Sequence, residues 1–310
     1  MEHETVSATL SETLTHPPSG VTLREVGLRD GLQNLEKLVP TRVKAELLAG
    51  LADAGFSHIQ AVSFVHPGKV PQMADAEKLL SLVDRPPGLR VSGLCLNTRG
   101  VERAAGAGVD CVEVSLSASD THSRKNAGVG TDQALAGIAD MVRSARDAGL
   151  VVWASVQCAL GCVFEGRIPP ERVADIAARY VELGADAVML ADTTGMGTPG
   201  SVAALLDRVR TVCGSTPLGL HMHDTRGLGL VNLAAGLARG ATIFDTAFGG
   251  MGGCPFVPGA AGNVATEEAV VMLESMGIDT GIDPALVAGC SRRMEQFLGH
   301  GLFGKMYRML

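Results

Sequence analysis

Two histidines separated by a single residue, His221 and His223, are the features of this chain most suited to chemistry. On a β-strand, side chains two apart point to the same side, so both imidazoles would reach one spot. Far upstream, Arg29 and Asp30 are adjacent, and an Asp192-Thr193 pair closes another apolar run. A carboxylate joining two imidazoles makes a cation site, and a donor set without thiolate favours an octahedral ion such as Mg²⁺ or Mn²⁺, with zinc second. The competing reading is two histidines satisfied by ordinary hydrogen bonds. A second cluster runs Gly249-Gly250-Met251-Gly252-Gly253-Cys254-Pro255 and resumes at Gly259-Ala260-Ala261-Gly262-Asn263. So many glycines allow close approach to a ligand and a catalytic loop that closes over it. Its alternative is a glycine-rich turn around an inert, buried thiol. The run lacks the G-x-x-x-x-G-K-[ST] spacing of a P-loop.

Eight short runs rich in Val, Ile and Leu, at 21–27, 58–64, 90–96, 111–117, 151–158, 187–193, 218–224 and 242–248, read as strands buried on both faces. Helical periodicity fills the gaps at 41–54, 72–82, 100–107, 133–148, 170–183, 199–212 and 228–238. Gly55, Gly108, Gly149, Gly184 and Gly240 follow helical stretches and precede strands, as left-handed helix stops do. Eight alternating units predict an α/β chain folded as a (β/α)8 TIM barrel, with function at the C-terminal ends of the strands. Arg29-Asp30, Asp192 and His221-Met222-His223 all fall at such ends. The expected organisation is a loose tail over 1–20, a catalytic barrel over 21–283 and a helical extension over 284–310 that could cover one barrel mouth.

The 310 residues carry 26 basic against 33 acidic side chains, and a net charge of −7 gives no general attraction to phosphate backbones or anionic lipid. Neither nucleic acid nor membrane is an expected partner. A 46% hydrophobic share without an apolar run of about 20 residues points to a large core. Seven scattered cysteines form neither a disulfide framework nor a paired C-x-x-C zinc signature, which fits a reducing cytoplasm.

The chain resembles the 3-hydroxy-3-methylglutaryl-CoA lyase family, within the larger group of barrel metallolyases and acyl-CoA-condensing synthases. The similarity runs through Val26-Gly27-Leu28-Arg29-Asp30-Gly31-Leu32-Gln33-Asn34, Ser63-Phe64-Val65, Val70-Pro71-Gln72-Met73-Ala74-Asp75 and Cys158-Ala159-Leu160-Gly161-Cys162. It continues through Gly195-Met196-Gly197, His221-Met222-His223-Asp224-Thr225, Gly252-Gly253-Cys254-Pro255 and Gly262-Asn263-Val264-Ala265-Thr266-Glu267. The resemblance implies that Asp30, His221, His223 and Asn263 bind the metal, that Arg29 faces the thioester carbonyl and that Cys254 is a catalytic loop thiol. Gln33, Asp192 and Glu267 match further active-site positions, and a homodimer follows from the same likeness. The implied reaction is a retro-Claisen cleavage of an acyl-CoA substrate to acetyl-CoA and acetoacetate, with Asp30 or His221 taking the hydroxyl proton.

Three departures bear on the substrate. Gln60 stands where the family usually has an acid and can neither act as a base nor neutralise Arg29. Arg226 replaces a usual aromatic and could grip an extra carboxylate. The segment from Ser117 to Asn126 differs in detail, and Arg124 and Lys125 there read either as a solvated loop face or as holders of CoA phosphates. These changes keep open a related substrate, citramalyl-CoA-like or longer and branched, and an acetyl-CoA-condensing synthase.

Overall fold

The computed structural model describes residues 20–253 and 261–310. All but the last residue of the expected N-terminal tail therefore lies outside the described residues. Eight parallel strands close into a barrel in chain order: β1 (Thr22–Glu25), β2 (His58–Ser63), β3 (Arg90–Cys95), β4 (Cys111–Ser117), β5 (Val151–Gln157), β6 (Ala187–Ala191), β7 (Leu218–His221) and β8 (Ile243–Thr246), with β8 pairing back onto β1. Every residue of β2, β4, β6, β7 and β8 is buried, as expected of strands packed inside and out. Helices Thr41–Asp53, Ala76–Ser81, Thr98–Gly106, Thr131–Asp147, Pro170–Glu182, Pro199–Cys213, Gly229–Leu237 and Thr266–Ser275 form the outer ring. The five glycines expected as helix stops all have φ between 72 and 100°.

Three expectations need correction. All strands but β4, which ends at Ser117 as anticipated, stop one to three residues short of their expected C-terminal ends, where the chain leaves the ladder. A helix at Asp120–Ala127 replaces the expected loop; it starts where the Ser119 side chain accepts from the His122 N–H and ends at Gly128 in the left-handed region. Helix Pro284–Leu298 packs beside the barrel and also reaches the segment that follows β8. Its buried Val287, Ala288 and Met294 face the side of the barrel, where it packs on helices Thr41–Asp53 and Thr266–Ser275.

The barrel interior departs from the branched apolar filling usual in this architecture. A small apolar layer of Cys111, Trp153, Ala187, Met189 and Ile243 sits below a layer of charge. Arg24, fully buried, donates Nε and Nη2 to the two oxygens of Asp245 at 2.7 Å each and pairs with Glu113 at 2.5 Å. Its guanidinium also lies 4.8 Å from the Trp153 ring centroid. Removing one member of such a buried pair leaves an uncompensated charge, which is strongly destabilising.

On the outward side of the same strand, Glu25 staples the end of β1 to the end of β8. Its carboxylate oxygens accept from the Gly27 N–H at 2.6 Å, the Phe248 N–H at 3.1 and 3.2 Å and the Thr266 hydroxyl at 2.7 Å. Burial outweighs these bonds and lifts the carboxyl to about 8. The folded chain therefore holds a proton that the unfolded chain releases near pH 4.5. Stability from this group is complete below that value and declines as the pH climbs through 8. Glu25→Gln removes the decline, so the melting temperature of the variant relative to wild type is expected to rise between about pH 5 and 8. A pH-independent difference in thermal melts would contradict this.

Candidate active site

The site begins with a departure from regular helix. Directly after β1, residues Gly27–Gly31 form a single π-helical turn in which the Asp30 and Gly31 N–H groups both return to the Val26 carbonyl. Such turns are rare and frequent at functional sites. The glycines make this one possible. A methyl on Gly27 would sit 2.6 Å from a Glu25 oxygen and from the Phe248 ring, and one on Gly31 would sit 2.9 Å from the Met251 side chain. The turn thereby presses against the loop after β8 and projects Arg29 and Asp30 into the barrel mouth.

The donor atoms of Asp30, His221 and His223 lie within 4.8 Å of one another, all buried. Each imidazole Nε2 is 3.9 Å from Asp30 Oδ2, and the two Nε2 atoms are 3.1 Å apart. β7 ends at His221, yet His223 keeps an extended conformation through a bridge to Asn263, so the alternation expected of a strand survives past its end. His221 Nδ1 faces Asp245 Oδ2 at 3.0 Å; the carboxylate accepts from Nδ1–H, which leaves the Nε2 lone pair pointing at the site. Two imidazole lone pairs this close repel unless a proton or a cation stands between them.

Asp30 Oδ1 accepts from Arg29 Nη1 and, at 2.8 Å, from Gln33 Nε2, while Oδ2 accepts from Asn263 Nδ2 at 2.8 Å. Burial alone would raise its carboxyl, but Arg29, the two histidines and Asn263 hold it near 2. Burial and the neighbouring His221 push His223 down to about 4. For His221 burial also opposes the charged form, but the Asp245 bond and the Asp30 carboxylate outweigh it and the value is raised. Among the described residues, Asn263 Oδ1 and His223 Nδ1 are buried without a hydrogen-bond partner. A buried carbonyl oxygen lacking a donor, next to an ionised carboxylate and two inward imidazole nitrogens, fits a divalent cation of the hard, oxygen-tolerant kind.

Arg29, Asp30, Gln33, His221 and His223 share the wall of one cavity of about 310 Å³. Across the barrel its far wall is made of Leu96, Ser115, Ser155 and Gln157. Not every anticipated residue joins them. Arg124 and Lys125 sit on the exposed side of helix Asp120–Ala127, where Arg124 pairs with Asp120 at 2.7 Å and the Lys125 ammonium lies 5.0 Å from the Phe164 ring centroid. The same helix reaches the cavity through His122 and Asn126. Arg226 donates to the Thr194 and Gly195 carbonyls and is not among the residues that line the cavity. Asp192 accepts from the Met196 and Gly197 N–H groups at 2.9 Å each, and Glu267 accepts from the Gly249 N–H and the Ser291 hydroxyl. Both hold loops in place outside the cavity lining. Cys254 lies outside the described residues; Gly253 beside it lines the cavity, and its carbonyl accepts from Asn34 at 3.2 Å.

A family profile described as HMGL-like matches residues 20–292. The chain belongs to the HMGL-like family. It is 42% identical over 266 residues to a Danio rerio protein named 3-hydroxy-3-methylglutaryl-CoA lyase, cytoplasmic, covering 86% of this chain and 79% of that one. A Bos taurus protein named hydroxymethylglutaryl-CoA lyase, mitochondrial, is 40% identical over 266 residues, 86% of this chain and 82% of the relative. The solved structure of an HMG-CoA lyase from Acinetobacter baumannii in complex with coenzyme A and 3-methylmalate superimposes with a TM-score of 0.89 at 38% identity, covering 94% of this chain and 95% of that one.

Sequence reasoning missed the residues beneath the HMGL-like site. Arg24, Glu113 and Asp245 interrupt otherwise apolar strands, and a charge at an inward position of a buried strand was the available signal. Lys69 at the cavity wall was missed too, and nothing in its local sequence marks it. The packing of the π-helical turn gives a direct test. Gly27→Ala is expected to cost about 1–3 kcal/mol of stability in urea unfolding, as overpacking does, and to weaken Mn²⁺ binding measured by calorimetry. Wild-type values for both would show that the turn has slack.

Proposed function

We propose that this chain is a divalent-metal-dependent carbon–carbon lyase that cleaves 3-hydroxy-3-methylglutaryl-CoA to acetyl-CoA and acetoacetate. The carrying observation is the convergence of Asp30, His221 and His223 beside the buried Arg29 in one cavity of an HMGL-like barrel. The coenzyme A and hydroxy-diacid bound by the Acinetobacter baumannii relative support a thioester substrate. Asp30, His221, His223 and Asn263 would hold Mg²⁺ or Mn²⁺. When bound, the cation supplies Lewis acidity that lowers the pKa of the substrate hydroxyl.

The chain's own residues then divide the work. Asp30, held near 2, stays ionised and is a poor proton acceptor. His221, oriented by its Nδ1–H bond to Asp245, takes the hydroxyl proton on Nε2 when that nitrogen is off the cation, while Asp30, His223 and Asn263 would keep the ion in place. The oxygen becomes a carbonyl as the adjacent carbon–carbon bond breaks, and the electron pair passes into the enolate of acetyl-CoA. Arg29, a permanent cation, holds the enolate oxygen. Cys254 on the glycine-rich loop delivers the proton to the enolate carbon. The CoA arm leaves past helix Asp120–Ala127, whose Arg124 and Lys125 would meet the CoA phosphates.

The small side chains of Ser115 and Ser155 on the far wall leave room for a second reading, in which the acyl group is a longer branched 3-hydroxy-acyl; a citramalyl-like acyl group is the other form of that reading. The compartment we assign is the cytoplasm, supported by six described cysteines that are all free. Among the described residues no helix is long and apolar enough to cross a membrane. A homodimer belongs to the same reading.

Chelation should abolish release of acetyl-CoA from 3-hydroxy-3-methylglutaryl-CoA, and Mg²⁺ or Mn²⁺ should restore it; turnover unaffected by chelator would sink the metal assignment. Arg29→Met should lower kcat by ~10²–10³ with modest change in KM, the cost of one lost oxyanion donor. The Arg124→Ala/Lys125→Ala double variant should instead raise KM for the thioester several-fold at nearly constant kcat, because it removes binding common to ground and transition states. If kcat falls and KM holds, these cations do something other than bind the CoA arm.

A further inference from the structure

Gln60 is the residue against which Arg29 rests, and nothing in Gln60 itself decides how it rests. Arg29 Nε donates to Gln60 Oε1 at 2.5 Å. A carboxamide has nearly the same shape with its oxygen and nitrogen exchanged, so its hydrogen-bond partners alone choose the orientation. On its other side Gln60 Nε2 donates to Glu113 Oε2 at 3.0 Å. A carboxylate there accepts only, so it selects the orientation that turns the amide carbonyl toward Arg29. The reversed amide would set an NH2 group against the Arg29 Nε–H, two donors with no acceptor between them. Glu113 is 4% exposed and lies two strands away from Gln60 around the barrel. Its charge is tolerable there because the buried Arg24 pairs with the same oxygen at 2.5 Å.

We propose that Glu113 is a positioning residue for Arg29, acting through the orientation it imposes on Gln60, with Arg24 as the cation that holds this carboxylate in the barrel. The same guanidinium grips Asp245, which orients His221. One buried arginine thereby anchors two arms, one ending at the enolate-binding guanidinium and the other at a metal-binding imidazole.

The test uses Glu113→Leu and the double variant Gln60→Glu/Glu113→Leu. A glutamate at position 60 offers an oxygen to Arg29 in either orientation and needs no neighbour to set it. The double variant also keeps the net charge of the buried cluster. The first readout is hydrogen-exchange protection of the Arg29 Nε–H by nitrogen-detected NMR. It should be high in wild type, lost in Glu113→Leu and regained in the double variant. The second is kinetic: Glu113→Leu should lose roughly tenfold or more in kcat with KM little changed, as for a misplaced oxyanion donor, and the double variant should recover most of it. Mn²⁺ affinity by calorimetry should stay within about twofold throughout, because Asp245 still fixes His221.

Retained Nε–H protection in Glu113→Leu, or a folded double variant in which it stays lost, overturns the proposal. So does a joint fall of kcat and Mn²⁺ affinity without rescue, which marks Glu113 as merely structural. If Glu113→Leu does not fold, Glu113→Ala, whose smaller side chain lets water reach Arg24, takes its place with the same expected loss of Nε–H protection and the same overturning result. Only the kinetic arm rests on the lyase reading. A wild-type chain inactive on every acyl-CoA thioester would remove that reading, and the exchange measurement would still judge the role of Glu113.

Discussion

A single fully buried guanidinium organises the floor of this site. Arg24 sits where most barrels of this architecture place a branched apolar side chain, and it is tolerated because Asp245 and Glu113 meet it from two other strands. Buried ion pairs are weak contributors to net stability, and their usual return is specificity of arrangement. Asp245 dictates which nitrogen of His221 carries a proton, and Glu113 dictates which end of the Gln60 amide faces Arg29. The reactive groups on the top layer inherit their orientation from the layer beneath.

The second organising constraint is backbone. A π-helical turn after β1 carries Arg29 and Asp30 into the cavity wall, and it needs two positions where no β-carbon fits. Glu25 then ties this turn to the loop after β8, the loop that brings Asn263 to Asp30. The ligands come from opposite ends of the sequence, and barrel closure between β8 and β1 makes them neighbours.

Much of this was legible in the sequence because it depends on local pattern. Buried parallel strands read as continuous Val, Ile and Leu runs, helix stops read as glycines, and His221 and His223 declared themselves by spacing. The eight strands, the barrel and the convergence of Asp30 with both histidines followed from those signals. Elements governed by tertiary context were illegible. Helix Asp120–Ala127 has almost no apolar periodicity and exists through its cap and its neighbours. The outer position of helix Pro284–Leu298 depends on which surface remained uncovered once the ring closed. Gln60 stood out as a departure, but its meaning required Glu113, a residue 53 positions away in sequence that no spacing rule connects to it.

The site's chemistry depends on one shared cation. Anomalous diffraction from crystals soaked in Mn²⁺ addresses it without recourse to any substrate. The expected map has a single strong peak contacted jointly by Asp30, His221, His223 and the carbonyl oxygen of Asn263, with His221 Nδ1 still on Asp245. A saturating soak that leaves this point without a peak, or a peak that touches only one of the imidazoles, would contradict the central claim.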